Sequence, residues 1–340
     1  MDWVHLDYVW VDGSESPTLR SKTKVVKLGL TEDGVPELPL GEWNFDGSST
    51  NQATTIDSER VLQPMRLYRL SQNHFVALCE VFHPPVDGEY IPHETNYRAE
   101  LREQILESMQ HTSLWIGWEQ EYFFTRDGCN IFWPDGGHEP PKNNGYYCAS
   151  GGAVKCRQLV REHADACNKL GINIVGYNAE VAPGQWEYQC FAEDPLKACD
   201  DLWISRFILE LMCESQELGV NWAPKPHEGW NGSGCHTNFS TTMMREDGAQ
   251  KHFEDILAAM KDLHSDTMPH YGAQNRRRLS GEYETAPYDK FSFGIGSRGD
   301  SVRIPNVTIS EGWKGYIEDR RPASNCDPYR VALQLTKFVL

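Results

Sequence analysis

No apolar run in this sequence approaches the roughly 20 residues that a membrane-spanning helix needs, and the mean hydropathy is −0.57. The first ten residues carry neither a basic segment followed by an apolar one nor the Arg- and Ser-rich composition of a transit peptide. The expectation is a cytoplasmic protein with no membrane partner. Basic residues are scarce: 32 Lys and Arg stand against 49 Asp and Glu, a formal net charge of −17. Such a surface repels nucleic acid and anionic membranes, so the short run Arg276-Arg277-Arg278 is not read as a nucleic-acid patch. The ten cysteines include no Cys-x-x-Cys pair and no tandem spacing, which leaves them as small core residues. No Gly-x4-Gly-Lys-Ser/Thr loop is present. A literal Gly-x-Gly-x-x-Gly occurs at 294–299, but strand-like residues 301–305 follow it where a dinucleotide fold needs a helix. No internal repeat or low-complexity segment is evident.

What remains is a globular composition, 39% hydrophobic and 11% aromatic over 340 residues, a length that suggests about two domains. Residues 4–11, 22–28 and 75–82 read as strands. The breaker-rich stretch 83–88 (HPPVDG) then reads as a domain boundary. Helical spacing covers 95–110, 155–170 with Gly171 just past its end, a long helix from the Asp194-Pro195 cap to near Gly219, and 249–268. Strand-like pieces lie between them at 115–125, 172–181, 185–190, 234–240, 291–296, 301–305 and 315–320. The order predicts an α+β chain with a small β-rich domain over 1–90 and a larger α+β domain over 91–340.

Charged residues sit within several of those strands. Residues two apart share a strand face, which pairs Glu119 with Glu121 (WEQEY), His236 with Asn238 and Ser240 (CHTNFS), and Glu318 with Arg320 (YIEDR). Glu180 and Glu187 flank the turn residues Ala182-Pro183-Gly184, as on the two arms of a hairpin. Ionised glutamates on neighbouring strands repel one another unless cations neutralise them. Five glutamates and one imidazole suit magnesium or manganese better than zinc. Read alone, each of these glutamates is more simply a solvated surface position, and a lone His236 a satisfied polar residue; only the set points to cations.

At these residues the chain resembles glutamine synthetases of the type found in eukaryotes and some bacteria. The motifs WNFDGSST (43–50), EQEY (119–122), GYYC (145–148), NAEVAPGQWEYQ (178–189), NGSGCHTNFST (231–241), RRLSGEYET (277–285), SRGDSVRIP (297–305) and YIEDRRPASNCDPY (316–329) follow the family's order. The resemblance implies a β-grasp-like N-terminal domain and a catalytic domain with a funnel of antiparallel strands and flanking helices. It implies ATP-dependent ligation of ammonia to L-glutamate through a γ-glutamyl phosphate. Glu121, Glu180 and Glu187 would hold one Mg2+ or Mn2+ ion, and Glu119, His236 and Glu318 a second that bridges ATP phosphates. Arg298 and Arg320 would face the transferring phosphate, and Arg303 the nucleotide phosphates. Asn231, Gly232 and Arg278 would grip the substrate glutamate, which Glu121 and Arg320 also reach, with Trp115 and Ser240 near the nucleotide. Asp46 would bind ammonium and favour its deprotonation, and Glu284 would be the flap residue that shields the acyl phosphate.

The resemblance further implies a ring-shaped homo-oligomer, two stacked pentamers, in which Asp46 enters a neighbouring subunit's site. The chain departs from the family at Asn143-Asn144-Gly145, where Gln-Gly-Pro is usual, at 149–152, and at Glu282 beside the flap glutamate. A ligase for another amine and a non-catalytic homologue are the competing readings. Asp46 speaks against the first, and intact Glu121, Glu284 and Arg320 against the second.

Overall fold

Val4, Leu6, Tyr8 and Trp10 alternate along the first strand and pack on one side of it with Phe45, Leu62 and Phe75. The computed structural model describes residues 2–31, 33–36, 40–109, 112–131, 133 and 145–340. They form two compact units, Met1–Glu103 and Gln104–Leu340. The first is built on five strands, β1 (Asp2–Val11), β2 (Leu19–Leu28), β3 (Trp43–Asp46), β4 (Glu59–Ser71) and β5 (His74–Phe82). Their order is β2-β1-β5-β4-β3, with β1 parallel to β5 and every other pair antiparallel. Helix α1 (Tyr97–Ser108) begins in this unit. Buried Glu80 of β5 anchors its start, pairing with Arg98 at 2.7 Å and Arg102 at 3.1 Å.

The second unit carries a nine-stranded sheet. Its strands are β6 (Trp115–Arg126), β7 (Cys129–Asn130), β8 (Ile174–Ala179), β9 (Gln185–Ala192), β10 (Gly219–Asn221), β11 (Cys235–Ser240), β12 (Phe293–Ile295), β13 (Val302–Ile304) and β14 (Ile317–Asp319). The main path runs β12-β13-β14-β11-β6-β9-β8, with β7 and β10 also paired to β6. Every pair is antiparallel except β12 with β13. That parallel pair brackets the Gly-x-Gly-x-x-Gly run with no helix between its strands, so the literal motif lacks the strand-then-helix setting of a dinucleotide site.

Helices α2 (Arg157–Lys169), α3 (Pro195–Glu214), α4 (Gln250–Asp262), α5 (His264–Thr267), α6 (Asn306–Ser310) and α7 (Pro328–Val339) complete the unit. Asp194 caps α3, accepting from the Lys197 amide at 2.6 Å. Gly171, at φ 79°, closes α2 in the left-handed region. Helix α3 packs against α7 through Tyr329, whose hydroxyl donates to Asp200 at 2.6 Å. Buried Arg206 of α3 reaches the sheet, donating to Gln120 Oε1 at 2.9 and 2.6 Å.

Two helix expectations need correction. The α3 helix stops at Glu214, because Glu217 turns left-handed (φ 54°), and Gly219 opens β10 instead. The single helix expected over 249–268 is broken after Asp262 and again at the 3-10 turn Met268–His270, where Pro269 lacks an amide hydrogen. Among the described residues no helix is long and apolar enough to cross a membrane. Seven of the ten cysteines are buried, and all are free thiols.

Candidate active site

The β8–β9 hairpin turns at Ala182-Pro183-Gly184, with Gly184 at φ 81°. The Gln185 amide donates to Ala182 O at 3.0 Å and the Glu180 amide to Gln185 O at 2.9 Å. This closure places Glu180 and Glu187 on facing arms. Strand β6 then lies beside β9 in a register that sets Glu121 opposite Glu187, and β11 lies on its other side with His236 opposite Glu119. Two clusters result. Ligand atoms of Glu121, Glu180 and Glu187 lie within 4.8 Å of one another, and so do those of Glu119, Glu187 and His236. Glu187 is the shared member.

Burial and mutual repulsion shape their electrostatics. Burial, then the nearby Glu180, push the Glu121 carboxyl up to about 8. Burial chiefly raises Glu180 to about 7, with Glu284 adding to it. Burial and three neighbouring carboxylates carry Glu187 well above the ordinary range. His236 is pushed well below its usual value by burial and then by Arg320, so it is the neutral, ligating form of imidazole. A guanidinium only donates, so Arg278 Nη2, 2.9 Å from His236 Nε2, leaves Nδ1 facing Glu119 at 3.3 Å and Glu318 at 3.5 Å.

Buried carboxylates held in contact at this energetic cost fit a divalent cation, which removes the repulsion and offers oxygen-preferring coordination. Glu318 differs from the expectation in one respect. It lies beside His236 but outside both clusters, and its oxygens accept from Arg303 Nε and from Arg320 Nη1 at 2.7 Å.

These side chains line one cavity of about 260 Å³ together with Asn231, Gly232, Arg278, Glu284, Arg298, Arg303 and Arg320. Gly232 is required by close approach: a Cβ there would stand 2.4 Å from the Pro224 carbonyl oxygen. Gly234 donates its amide to Glu121 Oε2 at 2.6 Å. Buried Arg278 is held by the Arg320 carbonyl at 3.1 Å, and burial lowers it to about 10. Arg320 Nε is buried and has no partner among the described residues. The run Arg276-Arg277-Arg278 is thus dispersed: Arg276 pairs with Asp289, Arg277 with Glu228 at 2.8 Å, and only Arg278 enters the site.

A second cavity of about 470 Å³ adjoins the first at Gln189, which lines both. Trp115 and Ser240 stand on its wall with Phe191, Tyr316 and Arg245. Arg245 was not singled out by any motif. Its guanidinium lies 3.9 Å from the Trp115 ring centroid and donates to Ser240 O and Oγ at 2.9 Å each. Tyr147 of GYYC was also passed over, yet it lines the first cavity with Arg298. Nothing in spacing marks either residue.

Asp46 lies in the other unit. It caps the 3-10 turn Gly47–Thr50, accepting from the Ser48 amide at 3.0 Å and from the Ser48 hydroxyl at 2.6 Å. These bonds, the hydroxyl's first, hold its exposed carboxyl below the usual range. Asn143 and Asn144 lie outside the described residues.

Comparison with known proteins places the chain beside one family. Residues 94–335 match the family model for the glutamine synthetase catalytic domain. The chain is 40% identical to the glutamine synthetase of Bradyrhizobium diazoefficiens over 343 residues, covering 98% of this chain and 95% of that protein. It is 41% identical to that of Hebeloma cylindrosporum, covering 100% and 94%. To that of Emericella nidulans it is 42% identical, covering 96% and 90%.

Proposed function

The chain belongs to the glutamine synthetase family, and on that premise we propose how its residues divide the work of joining ammonia to glutamate. The reaction is that of a glutamate–ammonia ligase: ATP phosphorylates the glutamate side chain, and ammonia displaces phosphate to give glutamine. The observation that carries the assignment is a single cavity that brings both carboxylate clusters together with Arg298, Arg303 and Arg320.

Glu121, Glu180 and Glu187 would hold one ion, magnesium or manganese. Glu119 and His236 would hold a second, with Glu318 completing its ligands once its guanidinium partners turn to phosphate. Divalent ions there supply charge neutralisation to the phosphate oxygens. Asn231, the Gly232 backbone and Arg278 bind the glutamate, with Glu121 and Arg320 at the edge of that subsite. Arg298 and Arg320 stabilise charge on the transferring phosphoryl group and Arg303 the nucleotide phosphates. The buried, unpartnered Nε of Arg320 supports this reading. Trp115 and Ser240 receive the nucleotide in the second cavity.

In the first half-reaction a glutamate side-chain oxygen attacks the γ-phosphorus and ADP leaves. In the second, ammonia attacks the acyl carbon and phosphate departs. Asp46 binds ammonium and favours loss of its proton, and Glu284 closes over the acyl phosphate to exclude water.

We also propose a grasp-like domain over 1–90, supported by the parallel β1–β5 pair between antiparallel neighbours, and a catalytic domain over 91–340. The assembly is a decamer of two pentameric rings, acting in the cytoplasm, with Asp46 serving an adjacent subunit. Magnesium titration of glutamine synthesis tests the ligand set: Glu180→Gln should raise the magnesium needed for half-maximal rate, and an unchanged requirement overturns the assignment. ADP release indifferent to ammonium but stimulated by a bulkier amine would replace ammonia as the nucleophile.

A further inference from the structure

Residues 280–287 form a short loop closed at its neck by the Ser280–Pro287 bridge and by the Tyr288 amide donating to Leu279 O at 2.9 Å. Within it, Tyr283 and Glu284 hold φ of 55° and 62°. Consecutive side-chain-bearing residues in the left-handed region are disfavoured and persist only where their surroundings hold them. Arg320 Nη2 donates to Glu284 O at 3.4 Å, and Thr285 Oγ1 to Glu282 O at 2.8 Å. Thr285 Oγ1 also reaches Arg278 O at 3.3 Å, and the Glu282 amide donates to Ser280 Oγ at 3.3 Å. A further hold comes from Lys225. Its ammonium lies 4.2 Å from the centroid of the Tyr283 ring and donates to the carbonyl of Trp230.

Lys225 is only 4% exposed. A buried ammonium needs a compensating partner, and an aromatic face supplies one. The backbone around it is that of the loop assigned to gripping glutamate. Trp230 precedes Asn231 and Gly232, and the Ser233 amide donates to Pro224 O at 2.9 Å. The lysine therefore joins two functional segments, with its nitrogen bonded to one and seated on a ring of the other.

We propose that Lys225 and Tyr283 form a latch that holds the flap residue Glu284 in place and ties its position to the glutamate-gripping loop. Both are positioning residues and act through Glu284. The inference rests on reading Glu284 as the residue that shields the acyl phosphate. When the latch is lost the flap samples open positions and water reaches the intermediate. Water attacks the acyl carbon, the carbon–oxygen bond to phosphate breaks, and glutamate and phosphate are regained. ADP then accumulates without glutamine.

The test compares Lys225→Met with Lys225→Arg, which keeps the cation, and Tyr283→Leu with Tyr283→Phe, which keeps the ring. Tyr283 is 38% exposed, so its substitution leaves folding intact even if Lys225→Met does not. With saturating ATP, glutamate and magnesium, the ratio of ADP to glutamine should rise about fivefold or more in Lys225→Met and Tyr283→Leu, the scale of a lost cation–π contact to a partly exposed ring. Tyr283→Phe should stay coupled. The double substitution should uncouple no more than either single one. Equal losses of rate at an unchanged ratio would mark a merely structural role and overturn the latch. Amide hydrogen exchange over 281–286 reads it independently of turnover: faster exchange in both uncoupling variants supports the latch, and unchanged exchange overturns it. A wild-type protein that makes no glutamine would instead sink the assignment of Glu284, while hydrogen exchange still decides the latch.

Discussion

Stripping divalent ions from the protein should expose the cost of crowding Glu121, Glu180 and Glu187. Their folded-state values, about 8 for Glu121 and about 7 for Glu180, lie above the ordinary carboxylate value of about 4.3. The folded protein thus holds protons that the unfolded chain has already released, so stability falls as pH rises from the unfolded value through the folded ones. Below about pH 6.5 the depressed histidines His163 and His236 act in the opposite sense, so the informative window is pH 6.5 to 8. One pH unit is worth about 1.4 kcal/mol per released proton. Glu121 then contributes about 2 kcal/mol across that window and Glu180 under 1, so these two alone give about 2–3 kcal/mol, and the raised Glu187 acts in the same direction. Urea unfolding of the chelated protein should show this fall. Saturating magnesium should flatten it, because the ion binds the ionised carboxylates and stabilises more at pH 8 than at pH 6.5. Glu180→Gln should reduce the slope. A chelated protein equally stable at both ends of the window, or a magnesium increment independent of pH, would refute the reasoning.

Asp46→Ala should raise the KM for ammonium far more than that for ATP, and equal effects on both would contradict its assigned role. Arg245→Ala removes the cation over Trp115 and the donor to Ser240, and should raise the KM for ATP about five- to thirtyfold with little change for ammonium; the opposite pattern would move the nucleotide out of the second cavity. Asp194→Ala should cost about 1 kcal/mol of stability through loss of the α3 cap, read as a lower urea midpoint with unchanged KM values.

Local signals located most of the elements. Asp194-Pro195 opened α3, Gly171 closed α2, partial alternation found β1, a continuous apolar run found β5, and strand-like segments between the helices found β6 and β9. The elements passed over have physical explanations. Strand β4 carries charges among its apolar residues and a register shift at Pro64–Arg66 that breaks its alternation. Helix α7 begins at Asp327-Pro328, the same signal as α3, and Asp327 caps it by accepting from the Tyr329 amide at 3.0 Å. The α3 overrun to Gly219 came from treating a glycine as a stop when left-handed Glu217 ends the run earlier.

The residue types that carry the chemistry are determined by the sequence alone: glutamates at alternating strand positions, His236, the four cavity arginines and the motifs that mark the family. A strand's period of two is a local property of the backbone, so it is readable without a fold. Tertiary structure decided how these residues combine. It joined the two carboxylate clusters through Glu187, because β6 pairs with β9 and β11 on its two sides. It turned Glu318 toward Arg303 and Arg320, set Arg245 over Trp115, and seated Lys225 on Tyr283. Each of these depends on strand register or loop closure between residues distant in the chain, as when the Gly234 amide meets Glu121 across 113 positions. Such contacts follow from how strands pair and pack, which no local periodicity encodes.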